Sequence, residues 1–296
     1  FFSKHKTAYE ILSGLVGSEM CIRDSITSAQ DYGNLQYALS GYSYRSVGPA
    51  FMSGRIADIA IDSNNENVWY VAVGSGGVWK TKNAGTTWMP LTDNMPFYST
   101  GSVTIDPNDS SRIWVGTGEN VAGRHVGIGH GIYLSKDSGS TWDNMGLKKS
   151  EHISKIIVHP DNSDIIWVAS QGPLWNSGGD RGLFMSNDGG NTWSNKLYVN
   201  EWTGVTDIII DPTNPDILYA ATWQRHRNVA SLIDGGPGTS IYKSTDGGNV
   251  WVEIDSGLPS SNMGKIGLAI SPIKPEVIYA AIELDRRSGA VYRSDN

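Results

Sequence analysis

Cysteine is nearly absent from this 296-residue chain: Cys21 stands alone, which excludes an intrachain disulfide framework and any CxxC metal site. Charge is also sparse, at 18% of residues, and 23 basic against 30 acidic side chains leave a net charge of −7. Such a surface has no general attraction for phosphate backbones or anionic lipid, so no nucleic-acid partner is expected. Long apolar runs are missing too. No stretch approaches the roughly 18 apolar residues of a membrane helix, and no membrane insertion is expected. What the chain does have is 35 Gly and 11 Trp, a mix that suits many short strands joined by tight turns and argues against a helical bundle.

The two ends differ from the middle. Residues 1–25, FFSKHKTAYEILSGLVGSEMCIRDS, share no pattern with the rest of the chain and resemble translated sequencing-adapter runs. They read as a non-native or disordered leader, followed by a linker over 26–41 and a repeat domain over 42–296. At the far end the chain breaks off inside a repeat, at Tyr292-Arg293-Ser294-Asp295-Asn296, as a fragment of a longer protein would.

The repeat has two phrases. The first is an apolar run, a polar turn and a second apolar run: IAIDSNNENVWYVA (59–72), VTIDPNDSSRIWVG (103–116), IIVHPDNSDIIWVA (156–169), IIIDPTNPDILYAA (208–221) and LAISPIKPEVIYAA (268–281). β-Branched and aromatic flanks around Asn, Asp, Pro and Ser predict strand, turn, strand. The second phrase is VWKTKNAGTTW (78–88), IYLSKDSGSTW (132–142), LFMSNDGGNTW (183–193), IYKSTDGGNVW (241–251) and the broken VYRSDN (291–296). Asn83, Asp137, Asp188 and Asp246 can accept backbone N–H bonds, the following glycine tolerates positive φ, and Trp88, Trp142, Trp193 and Trp251 cover the hairpin. These residues are expected to be scaffold, because a reaction centre needs one constellation and not a copy per repeat.

Four short strands per unit at this period predict an all-β chain, a β-propeller of four-stranded blades, with four complete blades and part of a fifth. In such a meander the short, uniform turns share one face, and the connections of variable length share the other. Function is expected on the variable face. Its segments 74–77, 117–131, 170–182, 222–240 and 282–290 concentrate the arginines of an acidic chain. Arg124, His125, Trp175, Arg181, Trp223, Arg225, Arg227 and Arg286 are the candidate ligand-binding residues: guanidinium forks suit carboxylates and sugar hydroxyls, and indoles stack on sugar rings. The alternative is that these groups pair among themselves and order the loops. On the inner strands, Asp58, Ser102, Lys155, Asp207 and Gly267 align at one position, where charges are expected to pair across blades or reach water. His125 and His130 lie in a Gly-rich loop whose spacing fixes no common face, so no metal site and no cofactor are expected.

The element SxDxGxxW, written here as SKDSGSTW (135–142), SNDGGNTW (186–193) and STDGGNVW (244–251), resembles the Asp-box, or BNR repeat, of sialidases, xyloglucan-cleaving hydrolases, photosystem assembly factors and sortilins. Together with YRSVGPAFMSGRIADIAID and WVGTGENVAGRHVGIGHGIY, residues 42–296 are similar to large exported bacterial propellers of the sortilin/Vps10-like group, often labelled glycosyl hydrolase. The resemblance implies an extracellular or periplasmic protein with a peptide, protein or glycan ligand. In the xyloglucan hydrolases an Asp two residues before a Gly-Gly pair is one of two catalytic carboxylates, and here that place is Gly74. Glu119, with Asp180 or Glu283 as partner, is the candidate replacement if the chain is a hydrolase, since glycosidic cleavage needs two carboxylates. The expectation is a ligand- or partner-binding module, with a glycoside hydrolase acting on a polysaccharide as the alternative.

Overall fold

The computed structural model describes residues 55–285 and 288–295. The proposed leader (1–25), linker (26–41) and Arg286 lie outside the described residues. No α-helix occurs among the described residues, and the strands form successive antiparallel meanders. Blade one is β1 (Ile56–Ile61), β2 (Trp69–Val73), β3 (Gly77–Thr81) and β4 (Met89–Pro90). Blade two is β5 (Thr100–Asp106), β6 (Asp109–Thr117), β7 (Ile132–Ser135) and β8 (Asp143–Asn144). Blade three is β9 (Ile153–His159), β10 (Asn162–Ser170), β11 (Gly182–Ser186) and β12 (Ser194–Leu197). Blade four is β13 (Thr203–Ile210), β14 (Leu218–Gln224), β17 (Ile241–Ser244) and β18 (Val252–Ile254), with an added hairpin of β15 (His226–Arg227) and β16 (Leu232–Ile233). Blade five has three described strands, β19 (Met263–Ile270), β20 (Ile278–Leu284) and β21 (Gly289–Ser294).

The blades stack face to face, so the cores lie between them. Tyr70, Ala72 and Val78 of blade one meet Val103, Ile113, Val115 and Tyr133 of blade two. Trp114, Ile132 and Leu134 meet Ile156, Ile166 and Val168, and Trp167, Leu183 and Met185 meet Val205, Ile208 and Leu218. Burial on both sheet faces is the radial packing of a β-propeller, in which each sheet protects its neighbours.

Each second-phrase turn folds as its residues dictate. Asp137 Oδ1 accepts the Thr141 N–H (2.8 Å) and the Ser135 hydroxyl (2.8 Å), while the Gly139 N–H donates to Ser135 Oγ. Asp188 and Asp246 repeat this, and Asn83 does so with Thr87 and Thr81. The glycine at the fifth position of the box has two reasons to be glycine. At 139, 190 and 248 φ is +95°, +88° and +85°, and an added Cβ would strike Leu91, Trp114 and Trp167 of the preceding blade. The indoles do more than cover their own hairpin: Trp142, Trp193 and Trp251 also pack into the core shared with the preceding blade.

The turns separate by face as expected. Box residues donate to the first-to-second-strand turn of their own blade: Ala84 to Asn67, Ser138 to Ser111, Gly189 to Asp164 and Gly247 to Asp216. The inner-strand expectation holds for the two aspartates. At or next to the aligned position the register is irregular in every blade, and Asp58 and Asp207 reach the next blade. Asp58 accepts the Val103 N–H (3.2 Å) and Asp207 the Leu268 N–H (2.8 Å). Thr104 and Ser154 supply the intermediate stitches, donating to Ile156 O and Val205 O.

Candidate functional site

Long connections emerge opposite the boxes, and one of them, 118–131, leaves blade two and reaches the far side of the arc. Three consecutive carbonyls of this segment are each taken by a cation from blade four or five. Lys265 Nζ donates to Asn120 O (2.5 Å), Arg225 to Val121 O (2.9 Å) and Arg227 to Ala122 O (3.0 Å). Arg124 returns the contact, donating to Val229 O (3.3 Å). The segment is thus a strap tied by cations whose partners stand 104 to 145 residues away in sequence.

Glu119 is the root of the strap. Its carboxylate is 2% exposed, accepting Arg55 Nη2 at 2.6 Å and Ser75 Oγ at 2.7 Å. It also fills the space that a side chain at Gly74 would need, since a Cβ there would stand 2.9 Å from Glu119 Oε1. Asp180 is committed elsewhere: Oδ2 accepts the Lys149 N–H (2.8 Å), and its carbonyl accepts the Ser170 hydroxyl. Glu283, on β20, is exposed in a groove beside blade four. The three carboxylates chosen for hydrolysis therefore have separate surroundings.

Most of the arginines serve the loops. Arg181 is 1% exposed and donates to the carbonyls of Gln171, Pro173, Asn176, Gly178 and Trp202, and burial lowers its pKa to about 10. Arg225 is fully buried, donates to Val121 and Gly172, and lies over the Trp223 ring at 5.1 Å. Burial and then the nearby Arg181 lower its pKa to about 9. Arg181 and Arg225 thus follow the loop-ordering alternative, because every side-chain hydrogen bond they make goes to main chain. Trp223, expected as a stacking platform, is 2% exposed and lies beneath Arg225 and Lys265. Trp175, at 38% exposed, and His125, exposed on the strap, remain accessible.

Sequence reasoning missed two residues. Lys265 is half-buried on β19, with its pKa lowered to about 8 by desolvation and then by Arg225. Asp234, at the exit of the β15–β16 hairpin, lines the groove that also holds Glu283. Burial and then the Glu283 charge raise its pKa, against Arg225, Lys265 and Arg227. The one sequence signal for Asp234 was its setting, an acid between the apolar pair Leu232-Ile233 and Gly235-Gly236 in a long connection. Among the described residues no group of three or more His, Cys, Asp or Glu could hold a metal ion, and no helix is long and apolar enough to cross a membrane.

Comparison with known proteins agrees with this architecture. Residues 130–265 match the family model Sortilin-Vps10, described as sortilin, neurotensin receptor 3. An oligoxyloglucan-reducing end-specific xyloglucanase of Emericella nidulans is 25% identical over 67% of this chain and 24% of its own length. A xyloglucanase of Paenibacillus sp is 26% identical over 72% of this chain and 22% of its own length. The chain therefore spans about a quarter of the curated relatives it matches. Among solved structures, an ancestral GH74 enzyme superposes with a TM-score of 0.61 at 21% identity, over 82% of this chain and 30% of that one. The GH74 enzyme of Niastella koreensis gives 0.60 at 17% identity, over 81% and 37%. These matches bear out the resemblance to Asp-box propellers of the sortilin/Vps10-like group. They also favour the glycoside hydrolase reading over the binding module that the arginine-rich loops suggested.

Proposed function

We propose that this chain is part of an extracellular glycoside hydrolase that acts on a polysaccharide of the branched glucan class to which xyloglucan belongs. The observation that carries this reading is the likeness to named xyloglucanases over two thirds or more of the chain. A supporting feature is the open groove on the variable face, lined by Asp234 and Glu283. An acidic surface suits a neutral glycan, which needs apolar walls and hydrogen-bond partners and no net attraction. Trp175 on the same face offers an accessible indole for a sugar ring.

A second reading, binding without cleavage, draws on the blade-one position. Gly74 has no carboxylate to contribute, and the Glu119 carboxylate beside it is buried on Arg55 and Ser75. The two readings separate on the full-length protein. Incubation with xyloglucan, mixed-linkage glucan, xylan and mannan, followed by reducing-sugar assay, should show release from xyloglucan. Retention on a xyloglucan affinity gel with no sugar released would favour the second reading. Absence of both, with capture of peptides from a random library, would overturn the glycan class altogether.

A further inference from the structure

Where two blades stack, the same repeat positions do the packing. The twelfth residue of the first phrase is aromatic in all five units: Tyr70, Trp114, Trp167, Tyr219 and Tyr279. In blades one to four it is buried, at 1%, 0%, 1% and 7% exposed, whereas Tyr279 is 39% exposed. Tyr70 packs on blade two together with Ala72 and Val78, and Lys80 lies over its ring at 4.7 Å. Blade five pairs Tyr279, Ala281, Val291 and Arg293 in the same register, with Arg293 over the Tyr279 ring at 5.9 Å. Blade five thus carries the packing face of blade one, but turned to solvent, with Val291 69% exposed.

Blade one carries the matching surface. Blade two meets its neighbour through Val103, Ile105 and Trp142. The same places on blade one are Ile59, Ile61 and Trp88, which are 51%, 51% and 41% exposed. A Cβ at Gly139, Gly190 or Gly248 would strike the preceding blade, while at Gly85 it would meet only Trp69 and Trp88 of its own blade. Branched aliphatics and an indole therefore stand on one exposed sheet face, and a tyrosine beside small residues on the other. No stacked pair of blades in this chain joins two faces of the same kind.

A polar contact adds direction to the packing. The Tyr70 hydroxyl donates to Ser138 O (3.2 Å) and Trp167 Nε1 to Gly247 O (3.2 Å), in each case the fourth residue of the next blade's box. In blade one that residue is Ala84. Ala84, Ser138 and Gly247 share a left-handed backbone, with φ of +50°, +60° and +70°, so their carbonyls leave the turn alike.

We propose that a second copy of this chain docks head to tail on the first, its Ile59, Ile61 and Trp88 packing on Tyr279, Ala281 and Val291 of blade five. The Tyr279 hydroxyl then donates to Ala84 O of the second copy, as Tyr70 does to Ser138 O within one chain. The inference stands apart from the hydrolase reading, because neither face belongs to the groove or the strap. Such a contact is heterologous, so copies close into a ring where the rotation permits and otherwise extend as a row.

The test is the mass of the 296-residue chain in solution, by multi-angle light scattering at about 10 µM, above the micromolar limit usual for interfaces of standard size. Wild type should show at least twice the mass of one chain. Ile59→Glu disables the blade-one face and Val291→Glu the blade-five face, and both residues are exposed, so neither change touches a core. Each variant alone should associate about tenfold or more weakly, since docking would bury an unpaired charge. An equimolar mixture of the two should recover a dimer and nothing larger, because Val291→Glu keeps its blade-one face and Ile59→Glu its blade-five face. Recovery also shows that both variants are folded. A wild type that stays monomeric at about 100 µM sinks the proposal. So does either variant associating by itself at wild-type strength, which would mean that like faces pair, or a mixture that stays monomeric while wild type associates.

Discussion

Replacing Gly74 by aspartate would put a carboxylate where the resemblance to xyloglucan-cleaving hydrolases places a catalytic one, and Glu119 stands in the way. A Cβ at 74 would lie 2.9 Å from Glu119 Oε1. That oxygen cannot retreat freely, because it accepts Ser75 Oγ at 2.7 Å while Oε2 holds Arg55 at 2.6 Å. Displacing it costs a hydrogen bond to a charged group, about 1.5 to 3 kcal/mol, and this is the expected cost of Gly74→Ala. Aspartate adds repulsion. Two carboxylates about 4 Å apart repel by ~1 kcal/mol in water and ~4 kcal/mol at an effective dielectric of ~20. Arg55, half exposed, offsets part of this, which leaves roughly 1 to 3 kcal/mol beyond the alanine variant. Urea denaturation of the two variants, and of Gly74→Asp combined with Glu119→Gln, measures each part. The double variant should recover most of the charge term, with a coupling energy of about 1 to 3 kcal/mol. Equal costs for Gly74→Ala and Gly74→Asp, or no coupling to Glu119, would refute the argument that Glu119 has taken over that space.

Other consequences are as direct. Asp137 and Asp188 are held at about 2 by the Thr141 and Thr192 hydroxyls and N–H groups and by Ser135 and Ser186. Folded values below the unfolded value of about 3.9 give stability that is complete above that pH and lost as pH falls toward 2. Asp137→Asn with Asp188→Asn should therefore flatten the fall in Tm between about pH 4 and pH 2, and an unchanged acid limb would contradict this. Asp207 is the reverse case, its pKa raised mainly by burial. Its stabilising contribution is full at low pH and declines as pH rises, so Asp207→Asn should gain on the wild type above about pH 4, as chemical denaturation across pH would show. Asp207→Ala, which leaves the Leu268 N–H without its acceptor, should be about 1 to 3 kcal/mol less stable than Asp207→Asn. Arg225→Met removes the donors to Val121 and Gly172, and hydrogen exchange at Glu119 and Gly129 in the strap should quicken at least tenfold while the box turns stay protected.

Legibility followed the range of the interactions. The boxes could be read from sequence because an Asp or Asn, a Ser or Thr and a glycine close the turn within five residues, and the Trp then has one direction in which to lie. The inner-strand row could be read because aligning the first phrase brought Asp58 and Asp207 to one register, where each does accept an N–H from the next blade. The strap was another matter. Its ties join Asn120 to Lys265 and Val121 to Arg225, contacts between a main-chain carbonyl and a remote cation that leave no mark on local composition. The concentration of arginine on the variable face was visible, but whether a guanidinium ends on a ligand or on a carbonyl depends on where another blade's loop travels. Asp234 was hidden for the same reason: its neighbours Glu283 and Lys265 lie on blade five, and the groove exists only once the blades are stacked.

The two faces differ most in what surrounds their carboxylates, and this bears on where proton chemistry can occur. A box aspartate accepts bonds from its own turn, and those donors keep Asp137 and Asp188 ionised down to about pH 2. Such a group has no proton to give near neutral pH, and its low pKa makes it a weak base, however exposed it is. On the opposite face the hydrogen bonds of Arg225, Arg227 and Lys265 go to carbonyls of the strap and its surroundings, and Asp234 Oδ1 accepts none. Burial and the Glu283 charge then raise the Asp234 pKa instead of lowering it. The strap thus bears on the groove without lining it: its carbonyls, and not Asp234, receive hydrogen bonds from Lys265, Arg225 and Arg227. Freeing those donors, as Gly substitutions that loosen 120–122 would, should let a cation reach Asp234 and lower its pKa, and with it the pH at which the acid form is lost.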